Sequence, residues 1–359
     1  MRLAIITNVY PPEARGGAGR VAYALVEEWE AQGHEVRVFT HRATWLTRGF
    51  FVRLLGHLFS EYRLPPFTND VLAWKPDCVI THNLTGCGLL SIGRWFNRQP
   101  FAWIHILHDV QLFEPSGLLQ EDSLTLWQCV WSFYRRCAFG HPQVVVSPTQ
   151  WLLDAHHARG WLKDTQTRVL PNPLPAQHDV MSQEPREGWL FVGRVAFEKG
   201  ADTLYELFAR RPEEQLVVIG EGERRTKLQT LPNVQCLGEQ PSEVVAAWMQ
   251  RSVGLLMPSI VQENQPNVLL EAMVHGVPII ASDVGGVRET LGKDGGILCL
   301  NIAEGGIEAW MEACDRLLHE QAFWQEKSSA RAHALAYDPA YWEAVFALGR
   351  SNSKTHTAS

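Results

Sequence analysis

Short, continuously apolar runs recur along the chain, and stretches with the three-to-four-residue period of a helix separate them. Arg2–Asn8 and Val36–Thr40 are the first two runs, with a helix-like stretch over Gly19–Gln32 between them that Gly33-His34 closes. Further runs follow at Cys78–Thr81, Phe101–Leu107 and Val144–Ser147. A second series reads Trp189–Val192, Gln215–Ile219, Val234–Leu237, Val253–Met257, Pro278–Ser282 and Gly296–Cys299. Helical patterns interleave it at Asp202–Ala209, Ser242–Met249, Val268–His275 and Glu304–His319. Strands alternating with helices predict parallel sheets, so two α/β halves are expected in tandem. The Pro-rich polar stretch from Leu170 to Gly188 reads as the linker, and the polar tail Ser351–Ser359 is expected to be disordered.

Length agrees, because 359 residues exceed what one core usually organises. The 46% hydrophobic and 20% charged content excludes disorder, collagen-like repeats and coiled coil. No apolar run approaches the ~20 residues of a membrane-spanning helix, and the N-terminal run is too short for a signal peptide, so a cytoplasmic location is expected. Seven cysteines without a C-x-x-C spacing argue for reduced thiols rather than disulfides or a zinc ribbon. Net charge is −7, yet residues 1–175 carry 16 Lys/Arg against 14 Asp/Glu. No dense basic stripe points to nucleic acid, while the weakly basic front half suits an anionic surface or acceptor.

Three clusters carry chemistry. Val9–Arg20 is a glycine-containing loop before a helix, the arrangement in which backbone amides meet an anion. Gly17–Ala22 also fits G-x-G-x-x-A, but the glycines stand far from the strand and the second run ends in Thr40-His41 with no ribose-binding acid, which opposes a nicotinamide site. After Phe191-Val192, Arg194 and Lys199 are two cations five residues apart across a turn, suited to a diphosphate leaving group. Glu263 and Glu271 flank Pro266, a first-turn residue, so one carboxylate falls before a helix and one inside it.

Taken together these motifs resemble the family-4 retaining glycosyltransferases of the GT-B fold. The likeness extends over nearly the whole chain: Pro11-Pro12 through Gly19, Gly33–Val36, Ser147–Asn172, Val192–Arg194 with Lys199-Gly200, the E-x7-E stretch, and Gly276–Gly286. It implies two Rossmann-like domains facing each other across a cleft: residues 1–172, with a terminal helix of about 338–350 returning to them, and 173–337. It also implies transfer of a sugar from a nucleotide-sugar donor (UDP-, GDP- or ADP-linked) to a glycan, lipid-linked or small-molecule acceptor, with retention. The donor is a substrate, and neither a cofactor nor a metal is implied. Gly16 and Gly17 would meet the diphosphate, Arg194 and Lys199 stabilise it, Glu263 approach the transferred sugar and Glu271 bind the ribose. His108 matches a sugar-contacting histidine, with His105 its competitor. Gly220 and Gly222 resemble the turn near the donor base, and Pro266, Asn267 and Val268 would present a helix start to phosphate. Between the glutamates, Asn264–Asn267 departs from the family's small, glycine-rich loop, and Thr40–Cys78 matches nothing in the family. A GT-B nucleotide-sugar epimerase and a non-catalytic sugar-nucleotide-binding protein are the alternatives.

Remaining features weigh less. On a helix, Phe51, Leu54, Leu55 and Leu58 of Phe50–Phe59 would share a face beside Arg48 and Arg53, fit either for packing on the first domain or for a peripheral contact at the inner face of a membrane. His156-His157 reads as helix surface, and the 14 tryptophans as core or groove walls.

Overall fold

In a computed structural model, the described residues are 1–11, 17–41, 49, 51–52, 55–56, 62–114, 116–117, 119, 125–175, 186–300 and 302–356. Met1–Pro173 and Tyr337–Ser359 form one unit, and Leu174–Ala336 the second.

The first unit is built on strands β1 (Arg2–Thr7), β2 (Glu35–Thr40), β3 (Cys78–Thr81), β4 (Ala102–Ile106), β5 (Val144–Ser147) and β6 (Gln166–Val169). They form one parallel sheet in the order β2-β1-β3-β4-β5-β6. Helices α1 (Gly17–Ala31), α2 (Thr68–Trp74), α3 (Leu89–Phe96), α4 (Leu126–Phe139) and α5 (Gln150–Ala158) connect them. Both faces of the sheet are covered, which is why its inner strands read as unbroken apolar runs. Ala4 and Ile6 point into one core with Trp103, while Leu3 and Ile5 point into the other with Trp29. The exposed edge strand β6, Gln-Thr-Arg-Val, is polar and escaped the apolar pattern.

The second unit holds β7 (Trp189–Val192), β8 (Leu216–Ile219), β9 (Val234–Gly238), β10 (Gly254–Met257), β11 (Ile279–Ser282) and β12 (Ile297–Cys299), all parallel, in the order β12-β11-β10-β7-β8-β9. Its helices are α6 (Ala201–Ala209), α7 (Arg225–Leu228), α8 (Ser242–Arg251), α9 (Asn267–Val274), α10 (Val287–Leu291), α11 (Ile302–His319) and α12 (Gln321–Leu335).

Helix α13 (Ala340–His356) belongs to the first unit, where Trp342 and Phe346 pack on Trp29 with ring centroids 5.0 and 5.7 Å apart. The polar tail expected to be disordered from Ser351 is helical as far as His356. Once a helix is nucleated by packing, each further residue adds a backbone hydrogen bond without needing an apolar face. Among the described residues no helix is long and apolar enough to cross a membrane.

Candidate functional site

Each sheet has a point where the chain reverses its winding, the place where open α/β sheets bind ligands. In the second unit it lies between β7 and β10, because the chain leaves β7 through β8 and β9 and comes back to its other side. The loop after β7 carries Arg194 and a tight turn at Phe197–Lys199. The loop after β10 carries Ser259 and Glu263. Their backbones meet at Gly200, whose φ of 78° and approach to Pro258 would put any Cβ 1.8 Å from the Pro258 carbonyl oxygen.

This approach sets Lys199 Nζ 2.5 Å from Glu263 Oε1, and Ser259 Oγ donates to the same oxygen at 2.8 Å. The loop after β11 holds Glu263 from its other side. Gly286 N–H donates to the Glu263 carbonyl at 2.8 Å, and at Gly285 (φ 56°) a Cβ would stand 2.1 Å from that oxygen. Three strand ends thus converge on one residue, two on the Glu263 carboxylate and one on its backbone carbonyl. Pro266 is the N-cap of α9 rather than a residue of its first turn, with φ −64° and an extended ψ of 123°, and Asn267, Val268 and Glu271 follow on that helix. Arg194 is ion-paired with Glu198 and remains more than half exposed. The Gly220-Glu221-Gly222 turn after β8 lies against the β7 loop, with Val195 N–H donating to Glu221 O at 2.8 Å. Arg194, Lys199, Glu263, Gly220, Gly222 and the start of α9 therefore gather at one end of one sheet.

In the first unit the winding reverses between β1 and β3. Gly17 opens α1 after β1, while Gly16 lies outside the described residues. Asn8 joins the two strand ends: its N–H donates to Asn83 O at 3.1 Å and its Nδ2 to Thr85 O at 2.7 Å. His82 follows β3 and His108 follows β4. Their rings lie nearly parallel, at 18°, with His82 Nδ1 2.7 Å from His108 Nε2. Both line a small pocket with Asn83, Thr85, Asp109 and Gln111. His105 lines it too but is turned into the core, with Nδ1 2.8 Å from Thr81 Oγ1 and its ring edge-on to Phe139.

Burial disfavours the charged imidazoles, pushing His108 down to about 4, His105 to about 3 and His82 well below the ordinary range. All three are neutral near pH 7. Asp109 is pushed up to about 6, because burial outweighs its bonds from Gln111 N–H and Asn83 Nδ2.

Sequence reasoning missed His82, Ser259 and Glu198, the residues that hold His108, Glu263 and Arg194. The signal for His82 was its place directly after the apolar run Cys78–Thr81. His156, expected on the surface, is buried: α5 turns it inward, where Nδ1 bonds Leu152 O at 2.8 Å, and only His157 is exposed. Of the Phe50–Phe59 stretch, Phe51 is 77% and Leu55 54% exposed, while Leu54, Leu58, Arg48 and Arg53 lie outside the described residues. Among the described residues no group of three or more His, Cys, Asp or Glu is arranged to hold a metal.

Two parallel six-stranded Rossmann-like units, each with polar side chains at its own reversal point, are the two halves of a GT-B fold. Residues 15–178 match the family described as Glycosyltransferase Family 4, and residues 186–320 match Glycosyl transferases group 1. The chain belongs to the family-4 glycosyltransferases. It is 41% identical over 100 residues to a GDP-mannose-dependent alpha-mannosyltransferase of Mycolicibacterium smegmatis, covering 28% of this chain and 26% of that one. The sucrose-phosphate synthase of Thermosynechococcus elongatus has the same fold across the full length of both chains, with a TM-score of 0.74 at 19% identity. Anabaena HepE in complex with UDP-glucose does so as well, with a TM-score of 0.64 at 14% identity.

Proposed function

We propose that the protein transfers a sugar from a nucleoside-diphosphate sugar to an acceptor hydroxyl with retention of anomeric configuration and without a metal ion. The observation that carries this reading is the Lys199–Glu263–Ser259 cluster where β7 and β10 diverge. There the cation is held on a short turn rather than a mobile arm. When the sugar's C1–O bond to the diphosphate breaks, negative charge grows on the leaving phosphate. Lys199, the nearby Arg194 and the amides opening α9 supply fixed positive potential for it, worth about 3 kcal/mol per well-placed donor. Arg194 exchanges Glu198 for phosphate oxygen, which its exposed position permits. The acceptor oxygen then bonds C1 on the face the phosphate leaves, and its proton passes to that phosphate, so no side-chain base is required.

Glu263 and neutral His108 would address sugar hydroxyls, and Glu271 the ribose. A UDP-linked donor draws support from the HepE complex and a GDP-linked one from the mannosyltransferase relative. Incubation with UDP-, GDP- and ADP-sugars, followed by NMR of the product, tests the reading. A glycoside of unchanged anomeric configuration plus free nucleotide is expected. An epimerised sugar, an inverted glycoside or no turnover with any donor would overturn it.

A further inference from the structure

The second unit has a cavity of about 520 Å³ at the end of its sheet away from Lys199 and Glu263. Gly188 before β7, Gln215 before β8 and Gln235 on the edge strand β9 line its sheet side, and Trp248 and Arg251 of α8 line the other. Its volume falls among small-molecule sites, roughly 300–1,000 Å³. The transfer chemistry uses none of these residues.

The walls are braced from within the unit. Gly188 takes a φ of 68°, and a Cβ there would stand 3.2 Å from the Gln215 carbonyl oxygen, so the two strand entries run close together. Glu187 N–H donates to Arg251 O at 2.6 Å. Arg186 Nη1 donates to Met249 O and Ser252 O at 3.0 and 3.1 Å, and its Nη2 to His275 O at 3.2 Å, which bolts the last turn of α8 in place. Arg251 lays its guanidinium over the Trp248 ring, 5.5 Å from the centroid, and holds the half-buried indole by cation–π attraction. A wall fixed in advance leaves little to order on binding.

The lining sets the class of ligand. Gln235 pairs with Val217 in the sheet and Gln215 stands two residues before Val217, so both carboxamides share the face that α8 covers. Both are exposed, and among the described residues neither side-chain amide has a hydrogen-bond partner. Each offers two N–H donors and one carbonyl acceptor, the set that meets neighbouring hydroxyls. The indole adds an apolar ring against which the C–H face of a pyranose packs. Glu187 and Arg251 cancel in charge, so the site has no net call for an ion. Phosphate is opposed further, because the amino ends of the strands and the negative C-terminal end of the α8 dipole are the reverse of an anion site.

We propose that this cavity binds a neutral oligosaccharide, with a pyranose stacked on Trp248 and its hydroxyls on Gln215 and Gln235. The inference leans on the glycosyltransferase reading in one respect only: the glycan held there is one that the enzyme extends.

Calorimetric titration of the full chain with neutral trisaccharides of glucose, mannose, galactose and N-acetylglucosamine tests it, with inorganic phosphate and UMP as anionic controls. At least one trisaccharide should bind with a Kd of about 1 mM or tighter. Trp248→Ala should weaken that binding at least tenfold. Since Trp248 also packs on the core, Gln215→Ala/Gln235→Ala at two exposed positions is the companion variant, expected to bind at least fivefold more weakly at an unchanged melting temperature. Lys199→Ala, at the other end of the sheet, should bind the trisaccharide like wild type. No saturable binding of any of these sugars, wild-type affinity in the double variant, loss of sugar binding in Lys199→Ala, or tighter binding of phosphate or UMP that Trp248→Ala removes would each overturn the proposal. Sugar-nucleotide turnover without trisaccharide binding at Trp248 would sink this inference alone, whereas such binding without turnover of any sugar nucleotide would sink the transferase reading and leave this cavity standing.

Discussion

His82 Nδ1 and His108 Nε2 are 2.7 Å apart, so one nitrogen carries a proton and the other accepts it. His82 Nε2 is buried without a hydrogen-bond partner. A bare N–H there would be the costlier orphan, which favours the tautomer in which His82 Nδ1–H donates and His108 keeps its own proton on Nδ1. His82 thus fixes the tautomer of His108, a residue that lines the pocket.

If so, His82→Leu, which removes the donor, should lower kcat/KM about tenfold. His82→Gln, whose amide N–H can still reach His108 Nε2, should recover most of that loss. Steady-state kinetics on variants of matched melting temperature decides it, and equal rates for the two variants would exclude a positioning role.

Lys199→Ala and Arg194→Ala should each reduce kcat/KM by about a hundredfold or more, since each removes charge stabilisation felt most as the diphosphate departs. Lys199→Ala also leaves Glu263 with Ser259 but no cation. Circular dichroism should report an intact fold for both. Near-normal turnover in either variant would remove that residue from the site.

Turnover should survive excess EDTA, because the proposed phosphate charge is met by side chains and helix amides rather than by an ion. Activity lost in chelator and restored by Mg²⁺ or Mn²⁺ would falsify metal independence.

Acid should destabilise the fold. His105, His108 and His156 have folded values of about 3, 4 and 4 against an ordinary 6.5, and His82 is also lowered, burial being the main cause throughout. Between about pH 6.5 and 4 the unfolded chain therefore binds protons that the folded chain refuses. The stability these histidines contribute, present above that window, is lost as pH falls through it. Asp109 works the other way. Raised from 3.8 to about 6, it keeps a proton in the fold that the unfolded chain releases, so its contribution grows on acidification. Four groups outweigh one, and calorimetric Tm should drop steadily from about pH 6.5 to 4.5. A flat or rising Tm would contradict the burial of these side chains.

The strands of both inner sheets were legible because burial on two faces leaves nothing but apolar residues. Cys78–Thr81, Val144–Ser147 and Trp189–Val192 begin and end where the pattern places them. Helix α12 was not legible, since its buried stripe runs through Ser328 and Ala332 between Trp324 and Leu335, residues too small or too polar to register as periodicity. The charged members of the site could be named from their spacing after strands. The residue that holds Glu263 could not, because Ser259 acts only through a loop that folding brings close.

Helix α13 is synthesised after the second unit, yet it covers the Trp29 face made before that unit. The second unit, by contrast, is a single uninterrupted stretch of chain, Leu174–Ala336, and can collapse as soon as it clears the ribosome. During translation the first unit must therefore wait with an indole and a row of aliphatic side chains uncovered while an entire neighbour is made. Chaperones and proteases can read that exposed patch, so burial of Trp29 under Trp342 and Phe346 doubles as a mark that the second unit has already been made.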